Sequence, residues 1–254
     1  MGTNQENERG ISIKKDQTEG RPLYRMFSKV PDRYDFLNRL FTFRMDRRWR
    51  RIAAGVCLEG SPRRIMDLCS GTGDLAIELA VMGGRQTDVI SVDFCEPMLE
   101  LAKYKAGKIG LRGRIKFQVA DAAALPFDDN YFNVVGIAFG FRNLTFRNPR
   151  SELYLKEILR VISPGGRFII IETSQPRSRF IRRLFNFYLS TIVAPVGKAV
   201  SHHPSAYRYL AHSAKNFFGP CEVGDLLLDA GFASIDHTAL WRGIAAIHVA
   251  TTPS

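Results

Sequence analysis

Short apolar runs rich in β-branched residues alternate with segments of helical spacing through most of the chain. A short apolar run is typical of a strand buried on both faces, and apolar residues three and four positions apart are typical of a helix packed on a sheet. The alternation predicts a doubly wound α/β fold, in which helices cover both faces of a parallel sheet. The first five predicted strands are Arg64–Leu68, Val89–Asp93, Ile115–Ala120, Phe132–Ala138 and Phe168–Glu172.

Helical patterns lie between these strands, and two more strand patterns close the chain, so the sheet is predicted to have seven strands. A turn at Ser163-Pro-Gly-Gly166 is predicted to end one of the helices. The predicted helices are Leu75–Met82, Glu96–Lys105, Ser151–Ile162 and Glu222–Ala230, and the closing strands are Ala233–Leu240 and Ile244–Ala250.

The alternation stops after the fifth strand. Residues 177–218 have no strand pattern and are rich in aromatic and basic residues, so we expect a helical insertion. Because open α/β sheets bind ligands at the carboxyl ends of their strands, this insertion is predicted to form a lid or an acceptor pocket. Residues 21–52 are predicted to form helices that cover the same opening, and residues 1–20 a disordered tail, which leaves residues 21–254 as a single domain.

The net charge of +11 is concentrated in two segments. Residues 21–52 carry ten Lys or Arg and three Asp, and residues 173–221 carry seven Lys or Arg and no acid, so each segment has a net charge of +7. Such charge fits a nucleic acid or an anionic membrane surface, with plain solubility as the alternative.

The four cysteines form no CxxC pair, which predicts neither a metal site nor a disulfide and favours a reduced cytosolic compartment. No apolar run reaches the roughly 18 residues that would span a bilayer. A cytoplasmic protein is therefore expected, and the basic segments are expected to hold it against the inner face of the cell membrane.

A glycine loop follows the first strand, with the sequence Asp67-Leu-Cys-Ser-Gly71-Thr72-Gly73-Asp74. Glycines at a strand-to-helix turn allow the backbone to approach a ligand closely. Taken alone, the loop also satisfies the dinucleotide fingerprint, because Ala76 follows Gly73 at the required spacing and Asp93 lies at the end of the second strand. The loop therefore leaves a nicotinamide cofactor open.

Acidic residues at the ends of three strands favour S-adenosylmethionine instead. Asp67 is predicted to lie near the ammonium group of the cofactor, a group that NAD lacks. Asp93 can accept from both ribose hydroxyls, and Asp121 can accept from the adenine amino group. Three acids around one glycine turn resemble the class I methyltransferases. The predicted cofactor-binding residues are Asp67, Gly71, Thr72, Gly73, Asp93, Met98, Asp121 and Ala122.

The fourth strand ends in Phe139-Gly-Phe-Arg-Asn143, and Arg142 and Asn143 are predicted to project at the opening where the methyl group is transferred. Together with Glu172-Thr-Ser-Gln-Pro176 and Gly243-Ile-Ala-Ala-Ile-His248, this motif closely resembles the UbiE/MenG methyltransferases of menaquinone and ubiquinone biosynthesis. The resemblance extends from residue 24 to about residue 250. It implies a Rossmann-like class I fold and C-methylation of a polyprenylated quinol, with the menaquinone branch favoured and a 2-methoxy-6-polyprenyl-1,4-benzoquinol as the alternative.

The resemblance also implies roles for three residues. Arg142 would stabilise the phenolate of the acceptor, Asn143 would orient the ring hydroxyl, and Tyr34 would relay a proton through water. Several aromatic residues are expected either to line an entrance for the prenyl tail or to belong to the ordinary core. They are Trp49, Phe185, Tyr188, Tyr207, Tyr209 and Phe217.

An RNA methyltransferase is the rival that shares both the fold and the basic segments. Such enzymes usually carry an Asn/Asp-Pro-Pro-Tyr-like motif after the fourth strand, where this chain has Phe-Gly-Phe-Arg-Asn. The expected partners are therefore a lipid quinol and an anionic membrane surface, without nucleic acid. The sequence leaves the choice between monomer and homodimer open.

Overall fold

A computed structural model describes Tyr24, Ser28, residues 39–193, Pro195 and residues 204–254. The predicted tail and half of the predicted N-terminal cover lie outside these residues, as do Tyr34 and the middle of the insertion. The strands are β1 Arg64–Leu68, β2 Asp88–Asp93, β3 Ile115–Val119, β4 Phe132–Ala138, β5 Ile162–Thr173, β6 Ser234–Leu240 and β7 Ala245–Thr251. The helices are α1 Met45–Leu58, α2 Asp74–Met82, α3 Glu96–Lys108, α4 Phe141–Thr145, α5 Ser151–Val161, α6 Arg179–Tyr188, α7 Pro204–Asn216 and α8 Pro220–Asp229.

The strands form one seven-stranded sheet in the order β3-β2-β1-β4-β5-β7-β6. Strands β1 to β5 pair in parallel, and β7 pairs antiparallel with both β5 and β6. The strand order reverses direction between β1 and β4, which opens a crevice at the carboxyl ends of these two strands. The predicted doubly wound, seven-stranded fold is confirmed.

Two apolar layers cover the sheet, one on each face. Side chains alternate along each strand, so Met66 of β1 faces one layer and the neighbouring Ile65 faces the other. Helices α5 and α8 cover the face of Met66, and helices α1 and α2 cover the face of Ile65. Because both faces are covered, the central strands are apolar at almost every position, which is the pattern that identified them in the sequence.

Strand β5 differs from its prediction, because it begins at Ile162 rather than at Phe168. The predicted Ser163-Pro-Gly-Gly166 turn lies within the strand as a bulge, between the pair Phe132–Ile162 and the pair Val134–Arg167. Gly165 has a φ of +68°, and a Cβ on Gly166 would lie 2.6 Å from a methyl carbon of Ile162. The glycines therefore permit a bulge inside a continuous strand, where the sequence pattern indicated a break.

A small third apolar cluster joins the described part of the insertion to the N-terminal segment. The hydroxyl of Tyr188 donates to the carbonyl oxygen of Phe41 at 2.8 Å. The cluster consists of Phe41, Phe185, Leu189, Val193, Ala211 and Ala214. Helices α6 and α7 thus pack with the chain that precedes α1, and a lid role for this unit stays a prediction. Within the described part of the chain, no helix is both long and apolar enough to cross a bilayer.

Candidate active site

A cavity of about 810 Å³ opens at the carboxyl ends of β1, β2 and β4. The glycine loop borders it on one side, and the segment after β4 borders it on another. The predicted residues that line it are Gly71, Thr72, Asp93, Met98, Asp121, Ala122 and Asn143. Three other predicted residues, Asp67, Gly73 and Arg142, are not among its lining residues.

Asp93 holds the glycine loop in place. Its Oδ2 accepts from the backbone N–H of Gly71 at 2.8 Å, and its Oδ1 accepts from the N–H of Cys95 at 2.8 Å. Gly71 has a φ of +54°, a conformation that favours glycine. Burial raises the pKa of Asp93 to about 6, even though the two N–H groups favour the ionised form. The carboxylate thus lies in the cavity wall with both oxygens oriented by the backbone.

Gly73 has a packing role where the sequence suggested ligand contact. Its φ is +76°, and a Cβ at this position would lie 2.8 Å from the Cβ of Ala102 in α3. The absence of a side chain allows α2 to start close against α3. Gly73 therefore allows α2 and α3 to pack closely against each other.

Asp67 is buried at the end of β1 and is not among the cavity-lining residues, and its place near the cofactor ammonium group stays a prediction. Its Oδ2 accepts from the N–H of Ala76 at 2.9 Å, in the first turn of α2. Its Oδ1 is buried and has no hydrogen-bond partner. Burial raises the pKa of Asp67 to about 8. The buried carboxyl is therefore protonated at neutral pH and acts as a cap for α2.

We expect the Asp67→Asn variant to be more stable than the parent protein, by an amount that grows as the pH rises. In the parent, the unfolded carboxyl ionises above about pH 4 while the folded one stays protonated until about pH 8, so stability falls across this window. Asparagine keeps the acceptor for Ala76 and does not titrate. Urea unfolding should show a gain at pH 8 that exceeds the gain at pH 5.5 by on the order of 3 kcal/mol. A pH-independent difference between the two proteins would contradict the assignment.

Asp121 lies across the cavity from the glycine loop, at the end of β3. Its Oδ1 accepts from the N–H of Ala123 at 3.2 Å, and its Oδ2 accepts from Nη2 of Arg150 at 3.3 Å. Arg150 also lines the cavity, and its side chain is 37% exposed. Asp121 therefore lines the cavity next to a cation that the sequence pattern did not reveal, and its contact with the adenine amino group stays a prediction.

Arg142 does not project at the opening, and that prediction is wrong. Its Nη1 donates to Oε1 of Glu172 at 2.9 Å and to the hydroxyl of Thr173, and its backbone N–H donates to Oε2 of Glu172 at 3.1 Å. The side chains of Arg142 and Glu172 are only 5% and 1% exposed. The guanidinium thus neutralises a carboxylate buried inside β5, behind the cavity wall.

Asn143 faces the cavity as predicted. Its carboxamide Oδ1 accepts from the hydroxyl of Tyr209 at 3.2 Å, and its backbone carbonyl accepts from Nδ2 of Asn148 at 2.9 Å. Tyr209 comes from α7 and also lines the cavity, and burial raises its pKa. The structure therefore brings a residue of the insertion to the segment after β4.

Arg50 of α1 is a cavity residue that the sequence analysis did not single out. Its Nη1 lies 2.6 Å from Oδ2 of Asp46, and its guanidinium carbon lies 5.0 Å from the ring centroid of Phe139. It also lies 4.0 Å from Oδ2 of Asp74, at the start of α2. The one signal in the sequence was the basic run around Trp49, which is not specific enough to identify a single arginine.

Comparison with known proteins identifies the family to which the chain belongs. A model of the ubiE/COQ5 methyltransferase family matches residues 14–252. The chain belongs to this family. The protein is therefore a methyltransferase that uses S-adenosylmethionine, as predicted.

Relatives of this ubiE/COQ5 family member match it over nearly their full length. The chain is 41% identical to a demethylmenaquinone methyltransferase of Thermus thermophilus over 90% of this chain and 100% of the relative. It is 38% identical to a demethylmenaquinone methyltransferase of Deinococcus radiodurans over 92% and 93%. It is 38% identical to a ubiquinone/menaquinone biosynthesis C-methyltransferase of Geobacter sulfurreducens over 95% and 92%.

Solved structures share the fold at lower sequence identity. A putative O-methyltransferase of Nostoc punctiforme matches with a TM-score of 0.64 at 17% identity, over 96% of this chain and 64% of that one. An O-methyltransferase family protein of Burkholderia thailandensis matches with a TM-score of 0.63 at 14% identity, over 91% and 62%. These matches support the α/β architecture of the ubiE/COQ5 family member.

Proposed function

We propose that the protein transfers a methyl group from S-adenosylmethionine to a ring carbon of a polyprenylated quinol, with demethylmenaquinol as the acceptor. One observation carries this proposal. A single cavity joins an acidic end, formed by Asp93 and Asp121, to the hydrogen-bonded pair Asn143–Tyr209. The demethylmenaquinone methyltransferases among the relatives support the choice of the naphthoquinol over the benzoquinol.

The acidic end of the cavity fits the cofactor. Both oxygens of Asp93 already accept from backbone N–H groups, and a carboxylate oxygen can accept a further bond, which suits the two ribose hydroxyls. Asp121 suits the adenine amino group. Arg50 is a buried cation in the cavity wall, and it suits the carboxylate of the methionine part. Asp67 acts through the loop and α2.

Bound S-adenosylmethionine supplies an electrophilic methyl group, so the protein must favour the ionised quinol and exclude water. The Tyr209 hydroxyl fixes the Asn143 carboxamide oxygen, which leaves the Nδ2 group of Asn143 to donate to the acceptor oxygen. Tyr209 is in this sense a positioning residue. Much of the rate would come from holding the acceptor carbon in line with the methyl group.

Arg142 keeps a part in this proposal, but an indirect one. It lies close enough to Tyr209 for its charge to lower the pKa of that hydroxyl, against the larger effect of burial and against the charge of Glu172, which raises the pKa. The part of its charge that Glu172 does not offset can favour phenolate at the cavity wall without contact. Tyr34 stays the proposed proton relay, and it lies outside the described residues. Residues 177–218 are proposed as the lid over the acceptor.

We also propose a cytoplasmic protein that associates peripherally with the inner face of the membrane. A polyprenylated quinol resides in the bilayer, so the protein must reach it from the surface. The acid-free segment 173–221 supplies positive charge for that contact.

Incubation with labelled S-adenosylmethionine and detergent-solubilised acceptors tests the proposed function. We expect label in the lipid extract with demethylmenaquinol, less with the benzoquinol, and none in RNA. The Tyr209→Phe variant should lower kcat roughly 10–100-fold because the Asn143 carboxamide loses its orientation, whereas Asn143→Ala should lower kcat by about 100-fold or more. Both variants should bind S-adenosylhomocysteine as tightly as the parent protein.

The exposed Tyr104 of α3 gives a matched control, since Tyr104→Phe removes a hydroxyl remote from the cavity lining and should leave kcat unchanged. Label that appeared only in RNA would refute the proposed acceptor. Full turnover in both Asn143→Ala and Tyr209→Phe would refute the proposed roles of the pair.

A further inference from the structure

Helix α6 exposes an apolar face to solvent. Phe180, Leu184 and Phe187 are spaced by four and three positions, so they lie on one side of the helix. Their exposed fractions are 76%, 59% and 63%. Side chains of this size rarely lie together on the surface of a helix without a partner, and such patches mark interaction sites.

The other side of α6 already has its packing partners. Phe185 is buried, and in the turn that follows the helix Leu189 and Val193 are buried as well, against Phe41 and α7. The exposed residues are therefore not needed to hold α6 on the protein. Helix α6 therefore has one apolar face that packs against the rest of the protein and a second apolar face that is exposed.

Positive charge lies along one side of the second face. Arg179 and Arg183 lie one position before Phe180 and Leu184, and no acidic residue occurs in residues 173–221. Arg182 points elsewhere, because its guanidinium donates to the carbonyl oxygen of Pro176 at 3.0 and 3.1 Å. An apolar stripe flanked by arginines complements an anionic lipid surface. It does not complement a second copy of itself, since two such faces would bring like charges together.

The position of α6 connects this face to the cavity. Helix α7 supplies Ala211 and Ala214 to the cluster it shares with α6, and it supplies Tyr209 and His212 to the cavity wall. A surface bound by α6 therefore lies beside the elements that border the proposed acceptor site.

We propose that α6 is an interfacial helix that docks on the anionic surface of a bilayer, with Phe180, Leu184 and Phe187 among the acyl chains and Arg179 and Arg183 at the headgroups. The inference rests on the proposed lipid acceptor and names the surface through which the protein reaches it. Ile192 is 44% exposed in the π-helical turn after α6.

Co-sedimentation with vesicles tests the docking helix. The parent protein should bind vesicles of phosphatidylcholine that contain about 30% phosphatidylglycerol, an anionic lipid. It should bind vesicles of pure phosphatidylcholine only weakly. The triple variant Phe180→Gln, Leu184→Gln, Phe187→Gln should lose about tenfold or more of its partition coefficient on anionic vesicles. Arg179→Gln with Arg183→Gln should lose about twenty-fivefold, since each cation near the surface contributes a factor of about five.

A matched triple control replaces exposed apolar residues that lie elsewhere, namely Val81, Ile109 and Leu228, with glutamine. This control should bind vesicles as the parent does. A second readout places a tryptophan at Phe187 or at Leu228, and lipids brominated in the acyl chain should quench only the Phe187→Trp variant. Equal binding by the α6 triple variant and the parent would overturn the proposal.

Two further measurements separate this inference from its alternatives. The α6 triple variant should bind S-adenosylhomocysteine as the parent does, because its three residues are not among the cavity-lining residues, so that lost docking with intact cofactor binding supports the docking helix alone. Absence of turnover in the parent protein, with docking intact, would instead refute the proposed acceptor. A dimer in vesicle-free sedimentation that dissociates in the triple variant would assign the face to a second copy and overturn the membrane assignment.

Discussion

Replacing Glu172 with alanine is expected to destabilise the protein by about 3–5 kcal/mol, the usual cost of removing one partner from a buried ion pair. The Arg142 guanidinium would stay buried without its carboxylate, and the backbone N–H groups of Arg142 and Thr173 would lose their acceptor. Urea unfolding followed by circular dichroism measures the change. The exposed pair Glu152–Lys156 gives the matched control, and Glu152→Ala should change stability little.

The double variant Arg142→Met, Glu172→Leu distinguishes a structural arginine from one that assists the reaction. Replacing both members of a buried pair with apolar residues of similar size is often neutral or stabilising, so the cost of the unpaired charge should disappear. Only part of the lost stability should return, because the backbone N–H groups of Arg142 and Thr173 still lack their acceptor. Turnover should not return if the charge of Arg142 favours the ionised acceptor. Parental turnover in the double variant would leave Arg142 with a structural role only.

The strands and the glycine loop were predictable because their signals are local. A strand buried on both faces needs consecutive apolar residues, and the turn after β1 needs positive φ at Gly71 and Gly73. Asp93 could be placed as well, because its position at the end of β2 fixes it beside that turn. The family motifs added the cofactor and the class of reaction, which periodicity alone left open.

The directions of side chains were not predictable in the same way. Arg142 follows β4 next to Asn143, and nothing local decides that it turns toward Glu172 while Asn143 faces the cavity. The decisive partner lies in a strand some thirty residues later, where Glu172 interrupts an apolar run and must be neutralised. Contact between Tyr209 and Asn143 likewise depends on how α7 packs, which no sequence spacing specifies.

Replacing Asp93 with alanine is expected to weaken S-adenosylhomocysteine binding by about 100-fold or more, because the loop loses two charge-assisted hydrogen bonds that are each worth roughly 1.5–3 kcal/mol. The N–H groups of Gly71 and Cys95 lose their acceptor, so the loop loses its shape together with the proposed ribose contact. Titration calorimetry measures the affinity. Asp88 lies at the exposed start of the same strand, and Asp88→Ala should bind as the parent does.

The pKa of Asp93 predicts how the affinity for S-adenosylhomocysteine depends on pH. Burial raises the pKa of Asp93 to about 6 in the ligand-free protein, and hydroxyl donors stabilise the ionised form, so a ligand that contacts it favours the deprotonated state. Affinity should therefore be constant above about pH 7 and fall below pH 6 by up to about tenfold per unit. The Asp93→Asn variant cannot titrate there, and its weaker affinity should be flat between pH 5 and pH 8. If the affinity of the Asp93→Asn variant fell below pH 6 with the same slope, the titration would belong to a different group. The proposed contact between Asp93 and the ribose would then have no support from the pH dependence.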